Sequence, residues 1–188
     1  DLDVGAVYGA GTVVEVGGVE FTRHEYELEI TLVVHTGPEK GWPDICYHFM
    51  IGPDGSVWET RAGSLAGPVV ADATGGNQGY AQLVCLIGDF TTVPPTAAAQ
   101  ASLMRTLVWL ADRYGIDTAP GATATFVSRG SNRFPTGTPV TTRTISGHRD
   151  VTYTACPGDV GYTLIDGWRR RYNHVDPRSS LGFLSPEQ

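Results

Sequence analysis

The chain has 188 residues, a net charge of −7 and a pI near 5.1. Its hydrophobic fraction of 41% and charged fraction of 18% are typical of a globular domain. Because the chain is acidic and its only basic run is at 169–171, nucleic acid is not an expected partner. No apolar stretch is long enough to span a bilayer, and the N-terminus shows no signal-peptide pattern, although a signal removed before residue 1 would leave none.

Apolar runs separated by turn residues predict short strands in the first half of the chain. Residues 1–20 are interpreted as an irregular segment that contains a hairpin turning at Gly17-Gly18. Residues 62–80 are rich in Gly, Ala and Asp and are expected to form a surface loop beside a groove. The predicted strands lie at 12–16, 19–22, within 21–35, and at 46–51, 56–60 and 81–87.

The second half of the chain predicts two helices and a second hairpin. The clearest helix has Thr96 as its N-cap and Gly115 as its stop, with one wide apolar face that belongs to the core. A hairpin is predicted over 120–143, followed by a short strand into His148 and a helix from Asp159 to about residue 173. We expect one main domain over 21–175 and a C-terminal tail over 176–188.

Three residues with metal-binding side chains stand where a site could form. His148 and Cys156, both ligand types that zinc prefers, flank a short polar loop that can bring them to one ion. His35 ends the apolar run 30–34, at the expected rim of the sheet. Three protein ligands with no obvious fourth are typical of a catalytic zinc site. The alternative for a histidine at a strand end is a hydrogen-bonded residue that holds no metal.

The segments around these residues resemble a known family. The strand ending in Val34-His35-Thr36, the stretch over 44–61 that includes Tyr47, and His148-Arg-Asp-Val followed by Thr-Ala-Cys156-Pro-Gly occur in the family's order. They are similar to zinc amidases that cut peptidoglycan, a family that includes peptidoglycan recognition proteins and phage lysozyme-like amidases. The resemblance covers roughly residues 25–170 and implies an α/β (α+β) fold, a mixed central sheet flanked by helices with zinc at the floor of an open groove.

The resemblance also implies the reaction and the residues that assist it. It predicts a zinc-dependent N-acetylmuramoyl-L-alanine amidase, which cleaves the bond between N-acetylmuramic acid and L-alanine of the stem peptide. In the family the tyrosine that matches Tyr47 assists the attacking water, and the residue that matches Thr154 assists the developing oxyanion. The alternative for Thr154 is a loop residue that bonds its own backbone. His48 is expected to be a core residue held by hydrogen bonds.

Substrate choice is the third implication. Gly41-Trp42 and Arg61 resemble the pattern of members that prefer meso-diaminopimelate in the stem, whose extra carboxylate a guanidinium can bind in bidentate fashion. Asn132, in the 120–143 hairpin, is also expected to bind substrate. Alternatively, Trp42 packs a short connection and Arg61 pairs with an acid such as Glu59. We expect a monomer that acts on peptidoglycan, either secreted, in the cell envelope or as a released phage lysin.

The chain departs from the family pattern in two places, and other functions compete. Only 11 residues separate His35 from Tyr47, too few for the helix that the family has there. Cys85 stands where some relatives have a catalytic glutamate. One competing function is a module that binds muropeptides without cutting them. Another is a structural zinc protein, which needs a fourth ligand from Cys46, Cys85 or Asp150. A disulfide between Cys46 and Cys85 is a further alternative.

Overall fold

The computed structural model describes residues 12–16, 19–23, 44–72 and 75–171. These ranges contain seven strands, two helices and a short 3₁₀ turn at His148–Asp150. The strands are β1 (Thr12–Val16), β2 (Val19–Arg23), β3 (Phe49–Ile51), β4 (Val57–Glu59), β5 (Val84–Leu86), β6 (Thr123–Val127) and β7 (Pro139–Arg143). The helices are α1 (Ala97–Tyr114) and α2 (Asp159–Arg171).

Five of the strands form one mixed sheet in the order β1-β2-β4-β3-β5. β1 and β2 pair antiparallel with Val16 opposite Val19, which confirms the first predicted hairpin. β2 then runs parallel to β4, so residues 12–16 and 19–20 of the segment interpreted as irregular belong to the sheet. β3 pairs antiparallel with β4 and parallel with β5.

Both predicted boundaries of α1 are confirmed, because each depends on local chemistry. The Thr96 hydroxyl accepts a hydrogen bond from the Ala99 backbone N–H at 3.1 Å and so caps the helix. Gly115 adopts a left-handed conformation, with φ 61°, and its N–H bonds back to the Ala111 and Asp112 carbonyls. A residue with a side chain is strained in that conformation, which explains why the helix stops at a glycine.

The main core lies between the sheet and the two helices. Phe49 and Ile51 of β3 are fully buried against Trp109 of α1 and Trp168 of α2. The rings of Phe49 and Trp109 meet edge to face, with centroids 5.6 Å apart. Burying a side chain of this size stabilises the fold by about 1.5–3 kcal/mol. This packing fixes β3, and with it the position of Tyr47 two residues upstream.

The strands of the sheet are shorter than the sequence predicts. β3 begins at Phe49 instead of residue 46, because both the backbone and the ring of His48 are engaged by the segments around Leu83 and Val69. β4 and β5 each lose residues at both ends relative to the predicted 56–60 and 81–87.

The prediction of a short strand leading into His148 is wrong. Residues 144–147 form no strand, and His148 instead opens the 3₁₀ turn. The turn is stabilised by the Asp150 carboxylate, which accepts a hydrogen bond from the Gly147 backbone N–H at 2.8 Å. The last helix begins at Asp159 as predicted and extends to Arg171, while its predicted end at residue 173 lies outside the described residues.

The hairpin predicted over 120–143 is confirmed as β6 and β7, which pair antiparallel and form a separate two-stranded sheet. A second, smaller core joins Phe126 and Val140 of this hairpin to Val151. The hairpin therefore supports the segment that follows His148. Neither α1 nor α2 is long and apolar enough to cross a bilayer.

Candidate active site

Four of the side chains that line one cavity of the molecule are a phenol, an imidazole and two thiols. They are Tyr47, Cys85, His148 and Cys156, and we call this cavity the central groove. Much of its remaining lining is apolar and comes from α1 and α2, including Leu103, Leu107, Leu110, Leu164, Ile165 and Trp168. The structure thus brings together three predicted site residues, Tyr47, His148 and Cys156. The predicted site residues His35, Gly41 and Trp42 lie outside the described residues.

The backbone at Tyr47 is held in place by hydrogen bonds to its own carbonyl and to the ring of the next residue, His48. Its carbonyl accepts a hydrogen bond from the Thr60 hydroxyl at 2.7 Å. The adjacent His48 is fully buried, and its Nδ1 accepts a hydrogen bond from the Leu83 backbone N–H at 2.8 Å. The His48 Nε2–H donates to the Val69 carbonyl, also at 2.8 Å, which fixes the neutral tautomer. The expectation that His48 is a hydrogen-bonded core residue is confirmed.

The surroundings of the Tyr47 phenol keep it protonated. Burial raises the pKa of Tyr47 well above its ordinary value, and the nearby thiols of Cys85, Cys156 and Cys46 raise it further. At neutral pH the side chain is therefore a hydrogen-bond donor at the groove.

His148 and Cys156 sit at the two ends of the segment 148–156, which we call the ligand loop. Burial lowers the pKa of His148, so that its imidazole is neutral at pH 7, the form that binds metals. Cys156 is exposed at the edge of the groove. Partial burial of its thiol raises the pKa of Cys156, and the Arg149 guanidinium opposes that rise. A metal that binds this sulfur must therefore displace a proton.

The first half of the ligand loop is fixed by a polar cluster. The Asp150 carboxylate accepts hydrogen bonds from the Gly147 N–H, from Arg169 Nη2 at 2.8 Å and from the Tyr162 hydroxyl. Arg169 is itself anchored on α2 and also donates to the Ile145 carbonyl at 2.7 Å. Asp150 therefore positions the loop. Both carboxylate oxygens are engaged, so Asp150 is a poor candidate for a metal ligand.

The loop between β6 and β7 contacts the ligand loop from outside. Ser131 donates to the Val151 carbonyl at 3.1 Å, and Arg133 Nη1 donates to the Arg149 and Asp150 carbonyls at 2.7 and 3.0 Å. A Cβ added to Gly75 would lie 1.6 Å from the Thr152 hydroxyl, so only glycine allows this approach. The sequence alone carried no signal for these contacts, because they join segments that are distant in the chain.

Three residues expected to assist or bind substrate are engaged in local contacts and are absent from the described lining of the central groove. Asn132 bonds the backbone of Tyr153 in both directions, donating to its carbonyl at 3.0 Å and accepting from its N–H at 2.8 Å. The Thr154 hydroxyl accepts a hydrogen bond from the Cys156 N–H at 3.2 Å. Arg61 Nη1 donates to the Ile45 carbonyl at 2.7 Å. Asn132 thus has a clear structural role in holding the ligand loop.

The donors at the groove fit part of a zinc site. Within the described ranges no three His, Cys, Asp or Glu side chains are close enough together to hold a metal ion, so Cys85 does not complete a site with His148 and Cys156. None of the three cysteines forms a disulfide, so the bond considered between Cys46 and Cys85 is not present. An imidazole and a thiol at one groove are two of the ligands zinc prefers, and a third donor has to come from outside these ranges, where His35 lies.

Comparison with known proteins identifies the family. A model of the N-acetylmuramoyl-L-alanine amidase family matches residues 19–159. The chain belongs to this family. The matched range spans the motifs from which the resemblance was drawn, and that resemblance is confirmed.

Individual members of the amidase family show how far the similarity extends. The chain is 31% identical over 160 residues to a human N-acetylmuramoyl-L-alanine amidase, covering 85% of this chain and 23% of that protein. It is 30% identical over 131 residues to mouse peptidoglycan recognition protein 1, covering 69% of this chain and 57% of that one. The chain thus spans about a quarter and a little over half of these relatives.

The predicted fold is also confirmed by a solved member of the recognition-protein branch. The structure of Drosophila peptidoglycan recognition protein SA superimposes with a TM-score of 0.52 at 20% identity, covering 76% of this chain and 67% of that one. At this identity the similarity establishes the fold, a mixed sheet flanked by helices, and nothing about activity.

Proposed function

We propose that this chain is a zinc-dependent amidase that hydrolyses the bond between N-acetylmuramic acid and L-alanine in peptidoglycan. The observation that carries the proposal is that Tyr47, His148 and Cys156 line one groove in a chain of the amidase family. The names of its relatives support the substrate, since one is an N-acetylmuramoyl-L-alanine amidase and another a peptidoglycan recognition protein. A protein with this substrate would act on the cell wall, either as a secreted or cell-envelope enzyme or as a released phage lysin.

The proposed zinc ligands are His35, His148 and Cys156. The neutral imidazole of His148 and the partly exposed thiol of Cys156 support two of the three positions. Bound zinc supplies a Lewis acid that polarises an amide carbonyl and acidifies water. With three protein ligands the site keeps a coordination position for that chemistry, whereas a structural site would be closed by a fourth protein ligand.

The chain's own residues have two further roles in this proposal. Tyr47 donates its phenolic proton in a hydrogen bond to the oxygen on which charge develops, because its raised pKa keeps that proton in place at neutral pH. Thr154 assists from the ligand loop. Its oxygen accepts a bond from the Cys156 N–H, but a hydroxyl that accepts can still donate its own hydrogen.

We also propose a preference for meso-diaminopimelate in the stem peptide, based on Gly41, Trp42 and Arg61. The contact with the Ile45 carbonyl uses one of the five N–H donors of Arg61, and a carboxylate needs two. The wild type should cleave diaminopimelate-type peptidoglycan faster than lysine-type, and Arg61→Ala should reduce that ratio. Equal rates on both polymers, or an unchanged ratio in the variant, would rule out this preference.

The proposed activity is tested by incubating the chain with purified peptidoglycan and measuring the release of new amino groups. We expect release by the wild type, loss of release after removal of zinc by a chelator, and recovery when zinc is restored. His148→Ala serves as the matched inactive variant. If peptidoglycan sediments with the chain and no amino groups appear at any zinc concentration, the chain is a binding module and the catalytic proposal fails.

A further inference from the structure

Among the described contacts, the side chain of Arg149 links the two ends of the ligand loop, since it starts next to one proposed ligand and ends at the other. Arg149 follows His148 in sequence, and its guanidinium turns back across the loop. Nη2 donates to the Ala155 carbonyl at 2.6 Å, and Nε donates to the Cys156 carbonyl in a longer contact of 3.4 Å. The side chain of Arg149 therefore connects the two ends of the loop directly.

The guanidinium is itself fixed from two further sides. Its Nη1 forms an ion pair with Asp159 at 2.9 Å, at the start of α2. Its central carbon lies over the Tyr162 ring, 4.9 Å from the ring centroid. The Arg149 side chain is only 26% exposed, so it is packed as well as hydrogen-bonded. A donor held in this way has little freedom to release the carbonyls that it binds.

The rest of the loop lacks an equivalent link between its ends among the described contacts. Asp150, Ser131 and Arg133 hold residues 147–151, while Asn132 holds Tyr153. None of these side chains bonds the carbonyl of Cys156 or of the residue before it, whereas Arg149 bonds both. The Cys156 end of the loop also has short-range bonds, from the Cys156 N–H to the Thr154 hydroxyl and from the Gly158 N–H to the Ala155 carbonyl. Arg149 differs from these in that its contacts run from one proposed ligand to the other.

We propose that Arg149 is a positioning residue for the zinc site, holding His148 and Cys156 at the separation that the ion requires. This inference rests on the proposed function, because it assumes that both residues bind zinc. Groups that orient metal ligands without touching the metal typically change affinity about 10- to 100-fold when they are replaced. The effect on affinity is expected because a loop that is already in place loses less conformational freedom on binding.

Replacement by lysine separates geometry from charge. Lysine keeps the positive charge near the Cys156 thiol, but its ammonium is a single point that cannot bind two carbonyls as a fork. Asp159→Asn is the matched control, because it removes the ion pair with Arg149 and leaves both carbonyl contacts. The Asp159 side chain is 80% exposed, so the exchange disturbs little else.

The experiment measures the dissociation constant of Zn²⁺ by competition with a chromophoric chelator, at a temperature where circular dichroism shows each variant to be folded. We expect Arg149→Lys to bind zinc at least about 10-fold more weakly than the wild type, and Asp159→Asn to remain within about 2-fold. Arg149→Gln, which also lacks the fork, should show at least the same loss and replaces the lysine variant if that variant does not fold.

Two results would overturn the inference. One is an affinity of Arg149→Lys, or of Arg149→Gln in its place, within about 2-fold of the wild type. The other is an equal loss in Asp159→Asn, which would show that the ion pair and not the carbonyl fork is responsible. A wild type that binds no zinc would overturn the proposed function together with this inference, so the two failures are distinguishable.

Discussion

At the scale of single residues, the site is defined by how its surroundings set the protonation of three groups. Burial keeps Tyr47 protonated and His148 neutral, by opposite shifts of their pKa values from one cause. Cys85 stands beside Tyr47 at the groove, and burial raises the pKa of Cys85 to about 11, so at neutral pH it carries no charge. Tyr47 is therefore the one of these groups suited to donate a hydrogen bond to a developing negative charge.

Replacing Tyr47 by phenylalanine tests that role directly. The variant should keep its zinc content and lose turnover by about 10²–10⁴, the usual contribution of a positioned proton donor or base. Steady-state cleavage of peptidoglycan together with elemental analysis measures both quantities. Tyr80→Phe is the control, because Tyr80 also lines the groove but is 60% exposed and should not affect turnover. Full turnover in Tyr47→Phe would show that the tyrosine is only a packing residue.

At the scale of elements, His48 joins the start of β3 to the two segments that flank the groove. Its two ring nitrogens are both used, one by the Leu83 N–H and one by the Val69 carbonyl. Protonation of Nδ1 would place an N–H against the N–H of Leu83. Together with burial, this arrangement explains why the folded state favours the neutral ring, and burial lowers the pKa of His48 from its ordinary value of 6.5.

The consequence is a loss of stability in acid. Below about pH 6.5 the unfolded chain takes up a proton on this residue while the folded chain does not. Stability contributed by neutral His48 is therefore fully present above that pH and falls as the pH decreases, by up to about 1.4 kcal/mol per pH unit. Urea unfolding between pH 5 and 8 should show a shallower dependence in His48→Gln than in the wild type.

The matched control for this measurement is Thr60→Val. It removes a buried hydrogen bond to the Tyr47 carbonyl from the same region but no titrating group. Its free energy of unfolding should be lower at every pH by about 1–3 kcal/mol, with the slope of the wild type. If His48→Gln kept that slope as well, protonation of His48 would not be the cause of the acid effect.

The elements that could be predicted from the sequence are those whose boundaries are set locally. Thr96 caps α1 with its own hydroxyl, and Gly115 ends it through its own backbone conformation. The prediction of a strand before His148 was wrong because the structure of that segment is set by contacts with distant residues. In that segment the Ile145 carbonyl accepts a hydrogen bond from Arg169 of α2, a contact that no local pattern reveals.

The candidate site, like the fold, was predictable from the sequence only in part. The residue types and spacing of His148 and Cys156 predict a shared site, and the structure places both at one groove. The role of Asn132 could not be predicted, because its amide bonds the backbone of Tyr153, 21 residues away. Arg149 directly follows His148 in the sequence, but nothing in the sequence shows that its side chain folds back to the Cys156 carbonyl.

At the scale of the whole molecule, the sheet, the helices and the second hairpin meet at the central groove. The sheet contributes Cys85 of β5, and the segment just before β3 contributes Tyr47. α2 anchors the first half of the ligand loop through Arg169, and the β6–β7 loop supports it from outside. This arrangement supports the proposed amidase activity, which would cleave one particular bond of peptidoglycan.

The most direct test of this account is mass spectrometry of the soluble products released from peptidoglycan. We predict free stem peptides that begin with an unmodified L-alanine amino group, together with glycan chains whose lactyl carboxyl groups are free, from the wild type and not from His148→Ala. Products cut within the glycan or within the peptide, or binding to the polymer with no released peptide, would contradict it.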